Sequence, residues 1–336
     1  MNRAWYLVIS IALTVAIGYV VYRSVPDWGE AASVTAEGRP LWLLAGLGCV
    51  ALHMTMRAAR WGVLLRPVKA GISMKTLFSL TLVKYVINVV PPRVGEVAAS
   101  VALARKENVS AVSVIAASIF ERVLDTLAAL ALFGLYLLFF AQRYLPVSPR
   151  GKEIFLAARN YAMAGLLVLA LGFAVLLLLL GSRGWHGWMP EAVRRVVLSF
   201  MEGFRALHSV AAVIQVVILS LAIWLLISGQ LWILTRAYLD DFPFAGSLLI
   251  MAMTVIGVAI PTPGGVGGFQ FFMNLTLVHF FSRYLSQQDP NSQAAGISNG
   301  VFLVSMVPLI LVGLLFLYRE GLSFGRLMQM KEPSQV

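Results

Sequence analysis

Charge is what this chain has least of. Only 12% of its 336 residues are Asp, Glu, Lys or Arg, about half the roughly 25% of soluble domains. Hydrophobic residues make up 60% and the mean hydropathy is +0.84, which excludes an ordinary water-soluble globule. Cysteine is almost missing. Cys49 stands alone inside an apolar run, so neither a disulfide framework nor a Cys-based metal site can be built. His53, His186, His208 and His279 are scattered and form no HExxH-type pair, so no metal is expected. A nucleotide-binding motif is also missing, and no cofactor is expected. The apolar runs lack the period-two alternation of a membrane barrel.

What is present is long uncharged sequence. Such runs cover 19 residues from Ala4 to Tyr22, 22 from Tyr161 to Ser182 and 30 from Ala206 to Thr235. Two more cover 41 from Phe242 to Ser282 and 29 from Pro290 to Tyr318. Runs of about 18 or more apolar residues read as membrane-spanning helices. The expected fold is therefore an all-α polytopic membrane protein forming one integral domain, 1–336. Full spans are predicted near 4–22, 41–63, 109–141, 161–181, 208–235 and 296–318. The first has only Arg3 before it and no small-residue cleavage site after it, so it reads as a retained anchor.

Two further apolar segments are broken. Between Thr76 and Ala104 lies Asn88-Val89-Val90-Pro91-Pro92-Arg93-Val94-Gly95-Glu96. Neither arm reaches across a core of about 30 Å at 1.5 Å per residue, and the two prolines remove backbone donors. The second break is Pro261-Thr262-Pro263-Gly264-Gly265-Val266-Gly267-Gly268, in which six of eight residues are Pro or Gly. Irregular backbone at membrane depth survives only when buried in protein or lining a wet cavity. The first segment reads as a re-entrant hairpin, the second as another or as two short spans. Asn88, Pro91 and Gly95 are expected at one tip. Pro261, Pro263, Gly264, Gly265 and Gly267 are expected at the other.

The net charge of +11 would suggest nucleic acid in a soluble protein. Here it reads as topology, because Lys and Arg collect in cytoplasmic loops, and no nucleic-acid partner is expected. With both termini inside, cytoplasmic segments hold 15 basic residues and external ones 8. The expected location is the cell (inner) membrane. Residues 1–142 and 161–336 both read span, span, hairpin, span, starting on opposite sides. That is the pattern of an inverted repeat, whose substrate sites lie near the midplane.

Six ionisable residues remain at membrane depth: Lys84, Arg93, Glu96, Glu121, Arg122 and Asp125. Each costs upwards of about 2.5 kcal/mol if unpaired, so pairing, a wet cavity or both are implied. Glu121 and Asp125 are i,i+4 on one helix face, and Arg122 and Asp125 are i,i+3. Two carboxylates so placed need a cation between them, from Arg93 or Lys84, or a shared proton. Arg93 and Arg122 suit a phosphate, because a guanidinium offers its oxygens a planar fork. The set reads either as a transport site or as a structural ion network. The glycine-rich break reads as an anion-binding helix start or as a tight tip, with Gln270 able to reach the same space. Arg57-Ala58-Ala59-Arg60-Trp61 reads as an interfacial anchor or as a clamp for lipid headgroups at the cytoplasmic mouth.

Four motifs occur in order: Arg57-Ala58-Ala59-Arg60-Trp61, Asn88-x-x-Pro91-x-Arg93-x-Gly95-Glu96, Glu121-Arg122-x-x-Asp125 and Pro261-x-Pro263-Gly264-Gly265-x-Gly267. Together they resemble the lysylphosphatidylglycerol synthase transmembrane-region family of flippase-like membrane proteins, over roughly residues 5–320. The resemblance implies a lipid-handling domain. In bifunctional members this region moves an aminoacylated phospholipid between leaflets and a C-terminal domain makes it. Only 18 residues follow Tyr318, so a stand-alone member served by a separate lipid-synthesis enzyme is expected. The family usually carries an acidic residue after the glycine-rich turn, where this chain has Gln270. The function expected is a flippase or transporter for a phospholipid, polyprenyl-type or hopanoid-type lipid with an anionic or phosphate-bearing headgroup. Arg93, Glu96, Glu121, Arg122, Asp125 and Gln270 would form its site. The alternatives are a lipid-modifying membrane enzyme using Glu121 or Asp125 as base, and a structural partner in a cell-envelope synthesis complex.

Overall fold

A computed structural model describes residues 3–89, 94–144, 149–181, 210–286 and 288–320. Among these residues every regular element is helical. The helices are α1 (Arg3–Ser24), α2 (Trp28–Ala36), α3 (Pro40–Leu65), α4 (Met74–Ile87), α5 (Gly95–Glu107) and α6 (Ala111–Phe139). They continue as α7 (Pro149–Gly181), α8 (Val210–Arg236), α9 (Phe244–Ala259), α10 (Gly268–Phe280) and α11 (Pro290–Arg319). Helices α3, α6, α8 and α11 are long and apolar enough to cross a membrane. Their outward faces stay apolar, with Leu138 at 74% and Leu311 at 62% exposure. Water would not tolerate so large an apolar belt, and lipid tails cover it without cost.

Helices stand at all six places where full spans are predicted, four of them long and apolar enough to cross a membrane, and both broken segments divide into helix pairs where the prolines and glycines stand. Each pair doubles back. Lys69, before α4, pairs with the Glu107 carboxylate at the end of α5 at 2.8 Å and donates to its backbone carbonyl at 2.9 Å. Phe242, before α9, meets Phe281, after α10, with ring centroids 5.1 Å apart. The two hairpins start from opposite ends of the bundle. Arg66 at the end of α3 donates to Gln215 near the start of α8 at 3.1 Å, which marks one end. Arg39 before α3 donates to the Ala237 carbonyl just past α8 at 3.2 Å, which marks the other. The tips meet in between: a Cβ built on Gly264 would lie 3.7 Å from Val89.

The second tip needs glycine. Gly264, Gly265 and Gly267 hold φ of 61°, 74° and 83°, a region closed to most side chains. Gln270 then closes the turn by accepting from the Gly267 N–H at 2.8 Å. Pro91, Pro92 and Arg93 of the first tip lie outside the described residues. Asn88 does not, and it accepts from the Gly95 N–H at 2.7 Å, pinning the arms across the break.

Helix α2 was not foreseen, although its start is written in the sequence. Asp27 caps it, accepting from Gly29 N–H at 2.7 Å and Glu30 N–H at 3.1 Å, as an Asp at this position does, while its own N–H donates to the Ser292 hydroxyl at 2.9 Å. The helix lies along the start of α11, where Thr35 donates to the Gly296 carbonyl at 2.9 Å. The start of α11 is itself capped by Asp289, which accepts from Ser292 N–H at 3.0 Å. Slight burial pushes the Asp289 carboxyl up, but hydrogen bonds from Ser292 and Asn291 outweigh it and hold the group below its usual range. Replacing Asp289 by Ala is expected to cost about 1 kcal/mol at neutral pH. The depressed carboxyl contributes above its unfolded value and stops contributing as pH falls through the folded one. Thermal unfolding of the two proteins should therefore converge in acid.

Candidate functional site

Charged side chains gather where α3, α4, α6 and α8 meet. Lys84 and Glu121 each stand about 15 Å along their helices and Asp125 about 21 Å, counted at 1.5 Å per residue. Arg57 and Arg60 sit in the last turns of α3, facing them because three residues nearly complete a turn. Arg57 Nη1 lies 2.9 Å from Asp125 Oδ2, and Arg60 Nη1 lies 2.8 Å from Asp125 Oδ1. Glu121 takes Arg60 Nη2 at 3.1 Å on one oxygen and Lys84 Nζ at 3.1 Å on the other. Helix α8 adds neutral partners. Trp224 Nε1 donates to Asp125 Oδ1 at 3.0 Å, and Arg60 Nη1 donates to the Ser220 hydroxyl at 2.9 Å. The Lys84 ammonium lies 4.2 Å from the centre of the Trp61 ring, close enough for a cation–π attraction.

All five ionisable groups of this core are buried, and Arg60 and Trp61 are fully so. Among the described residues three cations face two carboxylates, an excess of one positive charge in a place where water cannot screen it. Arg57 Nε, Arg60 Nε and Trp61 Nε1 are buried with no hydrogen-bond partner among the described residues. A lost partner at such depth costs about 1–3 kcal/mol each. The core is thus short of acceptors as well as of negative charge.

A second pair borders it. Arg122 reaches Glu96 at the start of α5 through a short Nη2–Oε1 contact, and its other nitrogen stands 4.0 Å from Asp125. Asn88 donates to the same Glu96 oxygen at 3.1 Å. With its side chain 50% exposed, Arg122 is, among the described residues of this cluster, the cation that can meet a ligand without first leaving the core.

Most of the expected site residues therefore converge. Glu96, Glu121, Arg122 and Asp125 share one cluster, and Asn88 and Gly95 brace it. Lys84 reaches only Glu121, and the cation that stands between the paired carboxylates is Arg60. Arg57 and Arg60, read from sequence as an anchor or a mouth, turn inward and hold both carboxylates. Their spacing alone gave no sign of it, since an arginine near a helix end points outward as readily. The signal that could have found them is arithmetic: two carboxylates need more than one lysine nearby. Arg93 lies outside the described residues. Gln270 is elsewhere, on α10 beyond the second tip. Trp224 and Ser220 escaped sequence reading, because nothing in an apolar helix marks which polar residue faces inward. No group of three or more His, Cys, Asp or Glu able to hold a metal occurs among the described residues.

Broken helices meeting tip to tip beside a buried ion cluster define a helical membrane protein with a charged interior. The chain belongs to the lysylphosphatidylglycerol synthase transmembrane-region family, whose profile matches residues 7–313. That membership makes it a multi-pass membrane protein related to lipid handling. A comparison with curated proteins gave no match.

Proposed function

We propose that this protein carries an anionic, phosphate-bearing lipid headgroup between the leaflets of the cell (inner) membrane, with the cluster on α3, α4, α6 and α8 as its site. The observation that carries the reading is the buried excess of positive charge, three cations against two carboxylates. A phosphate would supply the missing negative charge and the missing acceptors together, and guanidinium groups bind its oxygens in pairs. Arg122 would meet the headgroup first, trading Glu96 for phosphate, while Asp125 and Glu121 keep Arg57, Arg60 and Lys84 aligned. Both hairpins would be re-entrant, entering from opposite faces with their tips at the midplane, and the halves 1–142 and 161–336 would act as an inverted repeat. The bias of 15 basic residues to 8 supports both termini in the cytoplasm, which would set the site toward the inner leaflet. A separate enzyme would supply the lipid.

Reconstituted vesicles containing a fluorescent phosphatidylglycerol provide the test. The wild-type protein should expose the labelled lipid to an external quencher faster than empty vesicles do. Arg122→Ala should slow this about tenfold or more, the scale of one charge-assisted hydrogen bond worth ~1.5–3 kcal/mol. Equal rates for variant and wild type would remove Arg122 from the site. No acceleration with any phosphate-bearing lipid would refute the transport reading.

A further inference from the structure

The end of the bundle away from the ion cluster holds a different kind of space. A cavity of about 130 Å³ lies between α1, α2, α10 and α11. It is lined by Gln270, Asn274, Asn291 and Asn299 together with Trp28 and Phe271, and no lining residue is Asp, Glu, Lys or Arg. The exposed His279 belongs to the same wall, so the cavity reaches the surface.

The amides are only partly occupied. Gln270 spends its oxygen on the Gly267 N–H, and Asn274 spends its nitrogen on the Asn291 carbonyl at 3.1 Å. That leaves a donor on Gln270 and an acceptor on Asn274. The side chains of Asn291 and Asn299 make no hydrogen bond among the described residues. Asn299 stands about 13 Å along α11, at 1.5 Å per residue. An amide there, inside an apolar helix, is costly without a partner. Donors and acceptors stand side by side, and Trp28 and Phe271 add apolar groups. An anion would find no Lys or Arg in this wall and a cation no carboxylate. The complement is an uncharged group rich in hydroxyls, each donating and accepting. The volume is small beside the several hundred Å³ of a drug-sized pocket, so it fits one headgroup rather than a whole ligand.

We infer that this cavity binds an uncharged polyhydroxyl group, of the sugar or polyol type. Such a group arrives either as the headgroup of a neutral lipid or as a free sugar. The site does not rest on transport through the ion cluster.

Native mass spectrometry of the purified full chain can test it with three lipids of identical acyl chains. These are glucosyl-diacylglycerol, diacylglycerol and phosphatidylglycerol, with free glucose as a fourth arm. The glucosyl lipid should be retained about tenfold over diacylglycerol, the scale of one or two hydrogen bonds. Asn299→Leu should bring that preference close to unity. Asn291→Ala, a milder change in the first turn of α11, should reduce it too and keeps the test alive if the first variant unfolds. Competition by free glucose would identify a soluble sugar as the source, and its failure a lipid headgroup. Arg122→Ala should leave the preference intact even where it abolishes translocation, so each reading can fail alone. Equal retention of the glucosyl lipid and diacylglycerol would overturn the inference. So would a preference untouched by both asparagine changes, or a stronger preference for phosphatidylglycerol lost with them.

Discussion

Replacing Asp125 by Asn is expected to cost about 3–5 kcal/mol of stability, the range for removing one partner from a buried ion pair. The asymmetry of the cluster sets the size. Asp125 is the carboxylate partner of Arg57, shares Arg60 with Glu121 and accepts from Trp224. Without its charge Arg57 stays buried and unpaired, and the core moves from one excess positive charge to two. Removing a cation works the other way. After Arg57→Met, Asp125 still holds Arg60 and Trp224, and the core becomes neutral. That substitution should cost well under half as much, though the proposed transport should suffer. The double variant restores the wild-type charge count, so it should recover about 1–3 kcal/mol relative to the sum of the single changes. Unfolding midpoints in detergent or nanodiscs would read all three. If Arg57→Met is as damaging as Asp125→Asn, or if the double variant is additive, the cluster is not held by this imbalance.

That imbalance also marks how far the sequence could be read. The helices were legible because lipid permits few alternatives. An uncharged run of span length must be a helix, and Pro-Pro or a Pro-Gly-rich stretch must break it. The pairing of Glu121 with Asp125 was legible because i,i+4 spacing places two carboxylates on one face whatever surrounds them. Their partners were not. Arg57, Arg60, Ser220 and Trp224 reach them across the α3–α6–α8 contact, and which face of α3 turns inward depends on packing. On that contact a small residue such as Gly46 leaves no room for a Cβ beside Leu234. Helix α2 was missed for the opposite reason. Its cap is local and readable, but nine residues make too short a helix to announce itself by periodicity.

The second large effect lies at the crossing of α9 and α10, where Gly257 and Gly268 face each other. A Cβ on either would run into the backbone carbonyl of the other. Overpacking typically costs about 1–3 kcal/mol when neighbouring side chains can shift, and more when they cannot. Here the obstacle is main chain on both sides, so the arms themselves must separate. Gly257→Ala and Gly268→Ala should each cost at least the upper part of that range. The damage should spread to the tip, because the Gln270 side chain that closes the Gly267 turn sits on the first turn of α10. Since either methyl already forces the arms apart, the double variant should cost little more than the worse single one. Gly134 offers the control: a Cβ there meets nothing within 4 Å, and Gly134→Ala should stabilise its helix slightly, by up to about 1 kcal/mol. Unfolding of the four variants side by side decides the point. Full additivity of the two crossing substitutions, or a Gly257→Ala protein as stable as the Gly134→Ala one, would mean that close backbone approach does not hold this hairpin.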